Sequence, residues 1–101
     1  MRIVVLFNLK AGADVAAYEN WAKTTDIPGV NALSSVKDFQ VYRSTGLLGS
    51  DAAAPYQYIE ILDIADMEAF GAATTSEAVQ KVAAEFQQFA DNPQFITTEA
   101  L

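Results

Sequence analysis

Tyr56-Gln57-Tyr58-Ile59-Glu60-Ile61-Leu62 alternates with the two-residue period of a β-strand. Tyr56, Tyr58, Glu60 and Leu62 share one face; Gln57, Ile59 and Ile61 share the other. Both faces are largely apolar, so the strand reads as covered on both sides, with one carboxylate on a buried face. A lone acid there costs free energy unless a partner satisfies it. Two readings stand: Glu60 pairs with Arg2, Arg43 or a tyrosine, or it is held for chemistry.

Working outward, Arg2 to Lys10 has the same character. Ile3, Val5, Phe7 and Leu9 point one way, and Val4 and Leu6 the other. The start Met1-Arg2-Ile3-Val4-Val5-Leu6-Phe7 imitates a leader peptide, but the apolar run ends at Asn8 without a small-residue cleavage site, so it reads as a strand. Ala11-Gly12-Ala13 is a turn and Asp14 an N-cap. The helix that follows carries Val15, Tyr18, Trp21, Ala22 and Thr25 on one stripe, and Pro28 predicts that it stops by Asp26.

Val36 to Ser44 is the second strand, alternating Phe39, Val41 and Arg43 against Gln40, Tyr42 and Ser44. Thr45 to Ala54 is a small-residue loop whose Leu47 and Leu48 form a lid or partner contact, or tuck onto the core. Pro55 opens the third strand, which runs to Ile64. Asp66 caps a helix, and a second helix restarts near Thr74 and Glu77 with capping-box spacing. Val79, Val82, Ala83, Phe86, Phe89 and Ala90 make a helical stripe that reads as core. Asp91-Asn92-Pro93 stops that helix, and Gln94 to Glu99 is the last strand.

The order β-α-β-β-α-β over 101 residues predicts one α+β domain, a ferredoxin-like split βαβ with a four-stranded antiparallel sheet. Its helices cover one face of the sheet. With 51% hydrophobic residues, the chain has more apolar material than a small monomer hides easily. The simplest cover for the second face is another copy, giving a two-fold homodimer, a dimeric α+β barrel.

Composition excludes several function classes. The net charge of −7 argues against nucleic acid as a partner. No apolar stretch approaches the ~20 residues of a membrane span. There is no Cys and no His, so Ser-His and Cys-His nucleophiles, usual zinc sites and His-ligated haem are out. The acids lack the spacing of a calcium loop, and Ala11-Gly12-Ala13 is too short for a phosphate-binding loop. The expectation is a cytoplasmic protein without metal or cofactor, whose chemistry runs on Tyr, Asp, Glu, Arg, Lys, Asn, Trp and backbone groups.

Several segments together resemble one family. Tyr18-Glu19-Asn20-Trp21, Asp26-Ile27-Pro28-Gly29 and Val36-Lys37-Asp38-Phe39-Gln40-Val41-Tyr42-Arg43 do so, as do Pro55-Tyr56-Gln57-Tyr58-Ile59-Glu60 and Phe86-Gln87-Gln88-Phe89-Ala90-Asp91-Asn92-Pro93-Gln94-Phe95. The chain resembles the REDY-like/HapK family of the dimeric α+β barrel superfamily over nearly its whole length. That resemblance implies a role in bacterial aromatic, polyketide or pigment metabolism, and a ligand pocket between sheet and helices.

Placed on such a pocket, Glu60 is the candidate general acid or base, and Tyr58 and Tyr42 are candidate donors to a developing oxyanion. Tyr18 and Trp21 line the pocket, and Asn8, Asp26 and Arg43 stand at its rim. Each has a plainer reading: Trp21 and the tyrosines as packed aromatics, Asp26 as a turn cap. The functional expectation is a cofactor-independent lyase, isomerase, cyclase or monooxygenase acting on a small aromatic or hydrophobic molecule. The alternative is a non-catalytic carrier of such a molecule.

Overall fold

The computed structural model describes all residues, Met1–Leu101. Strands β1 (Arg2–Leu9), β2 (Val36–Arg43), β3 (Tyr58–Ile64) and β4 (Ala90–Thr98) form one sheet in the order β2-β3-β1-β4. Every neighbouring pair is antiparallel. The doubly apolar segments β1 and β3 are the two central strands, as their composition requires. The fold is α+β and ferredoxin-like.

Helices α1 (Val15–Trp21), α2 (Ile27–Asn31), α3 (Met67–Ala73) and α4 (Glu77–Phe89) complete the chain. Asp14 caps α1 by accepting from the Ala16 and Ala17 N–H groups, and Asp66 caps α3 in the same manner. At α4 the cap is Ser76 rather than Thr74: its Oγ accepts from the Val79 N–H, while the Thr74 hydroxyl donates back to the Gly71 carbonyl.

The first helix does not stop at Asp26. It passes through a π-helical turn, Ala22–Asp26, straight into α2. The Ile27 N–H donates to the Ala22 carbonyl, five residues back. Ile27 takes helical angles (φ −59°, ψ −52°) despite preceding Pro28. The reason is twofold. Pro28 sits in the first turn of α2, where its missing N–H costs little. Ile27, Val30 and Leu33 also pack against the core, and that tertiary gain outweighs the local preference.

Two strand starts also differ from the sequence reading. The third strand begins at Tyr58, three residues after Pro55. Side chains bind the intervening backbone instead: the Gln57 N–H donates to Asn8 Oδ1, Asn8 Nδ2 to the Pro55 carbonyl, and the Leu9 N–H to Gln57 Oε1. The last strand begins at Ala90, not Gln94. Leu6 pairs with Gln94 and Asn8 with Asp91, so Asn92 and Pro93 oppose Phe7 alone in a β-bulge. Asn92 adopts φ 46°, and an edge strand tolerates a proline at a bulge.

The core lies between the sheet and the helices. Val5, Phe7 and Tyr18 are its largest fully buried side chains. Phe7 is the hub: it stacks on Tyr58 (5.5 Å between centroids, 20°) and meets Tyr18 and Phe86 edge-on (5.7 and 5.0 Å). Each such pair adds about 0.5–1.5 kcal/mol beyond area burial. The opposite sheet face carries Val4, Leu6, Ile59 and Ile61, all only half-buried. Leu47 and Leu48 do not tuck inward; Leu48 is fully exposed.

Candidate functional site

Strand β3 presents Tyr58, Glu60, Leu62 and Ile64 as its buried row, and this row faces the helices. Glu60 is 5% exposed, and its Oε2 has no hydrogen-bond partner. Neither expected ion pair exists. Arg2 lies 3.7 Å from Asp63, and Arg43 binds Glu19.

Glu60 instead opens into a cavity of about 270 Å³. Its walls come from the sheet (Val5, Phe39, Leu62), from α2 and the loop after it (Val30, Leu33) and from α4 (Val82). The α4 stripe therefore borders space rather than a filled core: Phe86 is buried, but Val79 and Val82 are half-buried. Polar residues on the walls are few: Glu60, Asp26 and Thr74.

Asp26 ends the π turn and is 5% exposed. In the widened turn its side chain shares the inward face with Ala22, which is also buried. A π turn inserted in an α-helix is often a functional device, and here it delivers a second carboxyl to the cavity. Burial pushes Asp26 up to about 7. Burial, and secondarily the charge of Asp26, pushes Glu60 up to about 8. Two acids in one apolar space titrate as a pair, and near neutral pH the pair holds on to protons that exposed acids would have lost. One member can then accept a proton while the other donates one.

A second group lies beside the first. The Tyr58 hydroxyl donates to Glu19 Oε2 at 2.7 Å, and Arg43 Nε donates to the same oxygen at 2.8 Å. The Arg43 and Tyr58 hydrogen bonds hold the Glu19 carboxyl down to about 2. Desolvation, then Glu19, pushes the Tyr58 phenol up to about 12. These residues, with Lys23, Ile27 and Val41, border a more polar cavity of about 280 Å³. Tyr18 belongs to this wall too. It is fully buried, its ring is 4.8 Å from that of Tyr58, and its hydroxyl has no partner. Desolvation, followed by the negative field of Glu60 and Asp26, holds the Tyr18 phenol well above its ordinary value.

The structure thus brings together Glu60 and Asp26 at one cavity and Tyr58, Tyr18 and Arg43 at the other. Asp26 is a wall residue rather than a rim or turn cap. Tyr42 borders the cavity of Tyr58 and Arg43 but is separated from Glu60: it pairs with Ile59, on the outer sheet face, and is 53% exposed. Asn8 is engaged at the strand end described above. Trp21 packs against Phe89 at 5.6 Å, and its Nε1 donates to Glu85 at 3.4 Å. Sequence reasoning passed over Glu19 as a site residue. Its signal is the pairing of Arg43 with Tyr58 across β2 and β3, which becomes visible only with the strand register.

No group of three or more acidic side chains gathers as a metal site, and no helix is long and apolar enough to cross a membrane.

A family model described as REDY-like protein HapK matches residues 1–101. The crystal structure of HapK from Hahella chejuensis is 26% identical, with a TM-score of 0.73, covering 100% of this chain and 95% of that one. A dimeric ferredoxin-like protein of unknown function from Thermobifida fusca is 16% identical (TM-score 0.73), with 94% and 85% of the two chains covered. The hydroxynitrile lyase of Passiflora edulis is 14% identical (TM-score 0.78), with 99% and 94% covered. These last two share the fold alone. No protein of curated function matches the sequence.

Proposed function

The chain belongs to the REDY-like HapK family, and from that premise we propose that it is a small cofactor-independent enzyme of the lyase, isomerase or cyclase type. It acts on an aromatic or polyketide-like molecule by moving one proton in the cavity of Asp26 and Glu60. The observation that carries this reading is the pair itself: two buried carboxyls on the walls of one apolar cavity, raised to about 7 and about 8.

The chemistry follows from their protonation. The ionised member takes a proton from a carbon beside a carbonyl, breaking the C–H bond. The protonated member donates to the carbonyl oxygen as it gains negative charge, so that an enol forms. Returning the proton to a different atom gives isomerisation; attack by the enol carbon on a second carbonyl of the same molecule, whose C=O π bond opens as its oxygen takes a proton from the acid, gives ring closure. The apolar walls exclude water and strengthen both hydrogen bonds. A lyase on the same fold, the Passiflora edulis enzyme, is compatible with this reading.

Solvent deuterium exchange tests it. Aromatic and polyketide-like ketones incubated in deuterated buffer should gain deuterium beside the carbonyl faster with the protein than without it. Glu60→Gln and Asp26→Asn should each lose most of that acceleration, about 10²–10⁴-fold for a lost acid or base. Ketones that bind unchanged to the wild type and to both variants would turn the reading to its alternative, a carrier of a hydrophobic intermediate. The largely apolar walls of the cavity favour that second reading.

The proposal includes a homodimer. Val4, Leu6, Ile59 and Ile61 form an apolar outer sheet face left half-exposed by one chain, and a second copy packed face to face would cover it. The dimeric Thermobifida fusca protein supports this.

A further inference from the structure

The chain has six basic residues, Arg2, Lys10, Lys23, Lys37, Arg43 and Lys81, and none of them lines the cavity of Glu60 and Asp26. Arg2 and Arg43 face other acids, Asp63 and Glu19. Apart from Thr74, the polar groups on the walls are two carboxyls, one of which has an oxygen without any partner.

An anionic ligand would therefore enter an apolar space with no cation and two acids, losing its hydration for nothing in return. A hydrocarbon would fit the walls but leave Glu60 Oε2 unpaired. A cationic ligand would find counter-charges, yet both ions would have to be stripped of water in a space walled mainly by aliphatic and aromatic side chains. A neutral ligand with one acceptor atom satisfies the orphan carboxyl and buries no charge. We propose that this cavity selects uncharged, carbonyl-bearing ligands over the carboxylates, amines and hydrocarbons of similar size.

This inference rests on the cavity being the ligand site, as in the proposed function, but not on turnover. A volume of about 270 Å³ is at the small end of ligand pockets and fits a single substituted ring. Burial keeps Glu60 protonated at neutral pH, which makes it the donor that a ketone oxygen needs.

The test is an NMR titration of the full-length protein with acetophenone, ethylbenzene, phenylacetate and benzylamine in mildly acidic buffer. Acetophenone should bind about tenfold more tightly than ethylbenzene, the worth of one well-made hydrogen bond, with shifts at residues of the cavity. Phenylacetate should shift none of these residues. Glu60→Gln keeps an N–H donor and should keep the ketone preference; Glu60→Met should erase it. Tightest binding by phenylacetate or by benzylamine would overturn the selectivity while leaving the cavity as the site. Binding of no probe would overturn the site and the inference together. Ketone selectivity without deuterium exchange would uphold this inference and remove catalysis.

Discussion

Glu60 on β3 and Asp26 at the end of the π turn face one cavity from opposite layers, sheet and helix, with no base on its walls. Each layer supplies one carboxyl, so the pair exists only when the helix is docked on the sheet. Its acids are raised above their ordinary values, and the consequence for stability has a definite sign.

Between about pH 4 and pH 8 the folded chain holds protons that the unfolded chain has released, because Glu60 moves from 4.5 to about 8 and Asp26 from 3.8 to about 7. Stability therefore falls as pH rises through this window, by at most about 1.4 kcal/mol per pH unit for each group. Glu19 works the other way, since its carboxyl is lowered from 4.5 to about 2. Its contribution is complete above the unfolded value and is lost as pH falls toward 2. Urea unfolding should thus be hardest near pH 4.5, and Glu60→Gln should flatten the alkaline side. An unchanged slope in that variant would remove Glu60 from the account.

Glu19→Gln should release the Tyr58 phenol. Desolvation remains, but the negative acceptor is gone, so Tyr58 should titrate below its present value of about 12. Phenolate absorbance during alkaline titration measures this. Tyr58→Phe should cost about 1 kcal/mol of stability, the usual net worth of such a bond.

Phe7 is fully buried and meets three aromatic rings. Phe7→Ala should destabilise the fold by about 3–5 kcal/mol, in chemical denaturation, because the surrounding rings cannot collapse into the space. Phe95, 62% exposed on the edge strand, should cost far less when changed to Ala.

Ile61→Glu tests the outer face. Ile61 pairs with Val4 and Gln40 and is half-buried in one chain. The wild type should have a dimeric mass by light scattering, and the variant a monomeric one with unchanged circular dichroism. A monomeric wild type would overturn the dimer.

Most of the architecture was legible in the residues. The period-two runs at β1 and β3, apolar on both sides, identify strands covered on both faces, and the structure places these at the centre of the sheet; Asp14 and Asp66 identify helix starts; the order of elements identifies the ferredoxin-like sandwich. Glu60 stood out as an acid in a buried row. The errors were local. Pro28 reads as a helix stop, Pro55 as the start of β3 and Gln94 as the start of β4, yet the helix runs on through a π turn, side-chain hydrogen bonds hold the chain from Pro55 to Tyr58, and β4 begins at Ala90 and takes Pro93 into a bulge.

By itself, then, the sequence determined the period, composition and order of its elements, because these depend on each residue's own backbone preference and hydropathy. Only the tertiary structure decided that Asp26 joins Glu60, that Glu19 binds Tyr58 and Arg43, and that Tyr42 borders the cavity of Tyr58 and not that of Glu60. Those relationships depend on helix phase and strand register. Both are fixed by packing between residues far apart in the chain, and one extra residue in a helical turn or at a bulge redirects the side chains that follow.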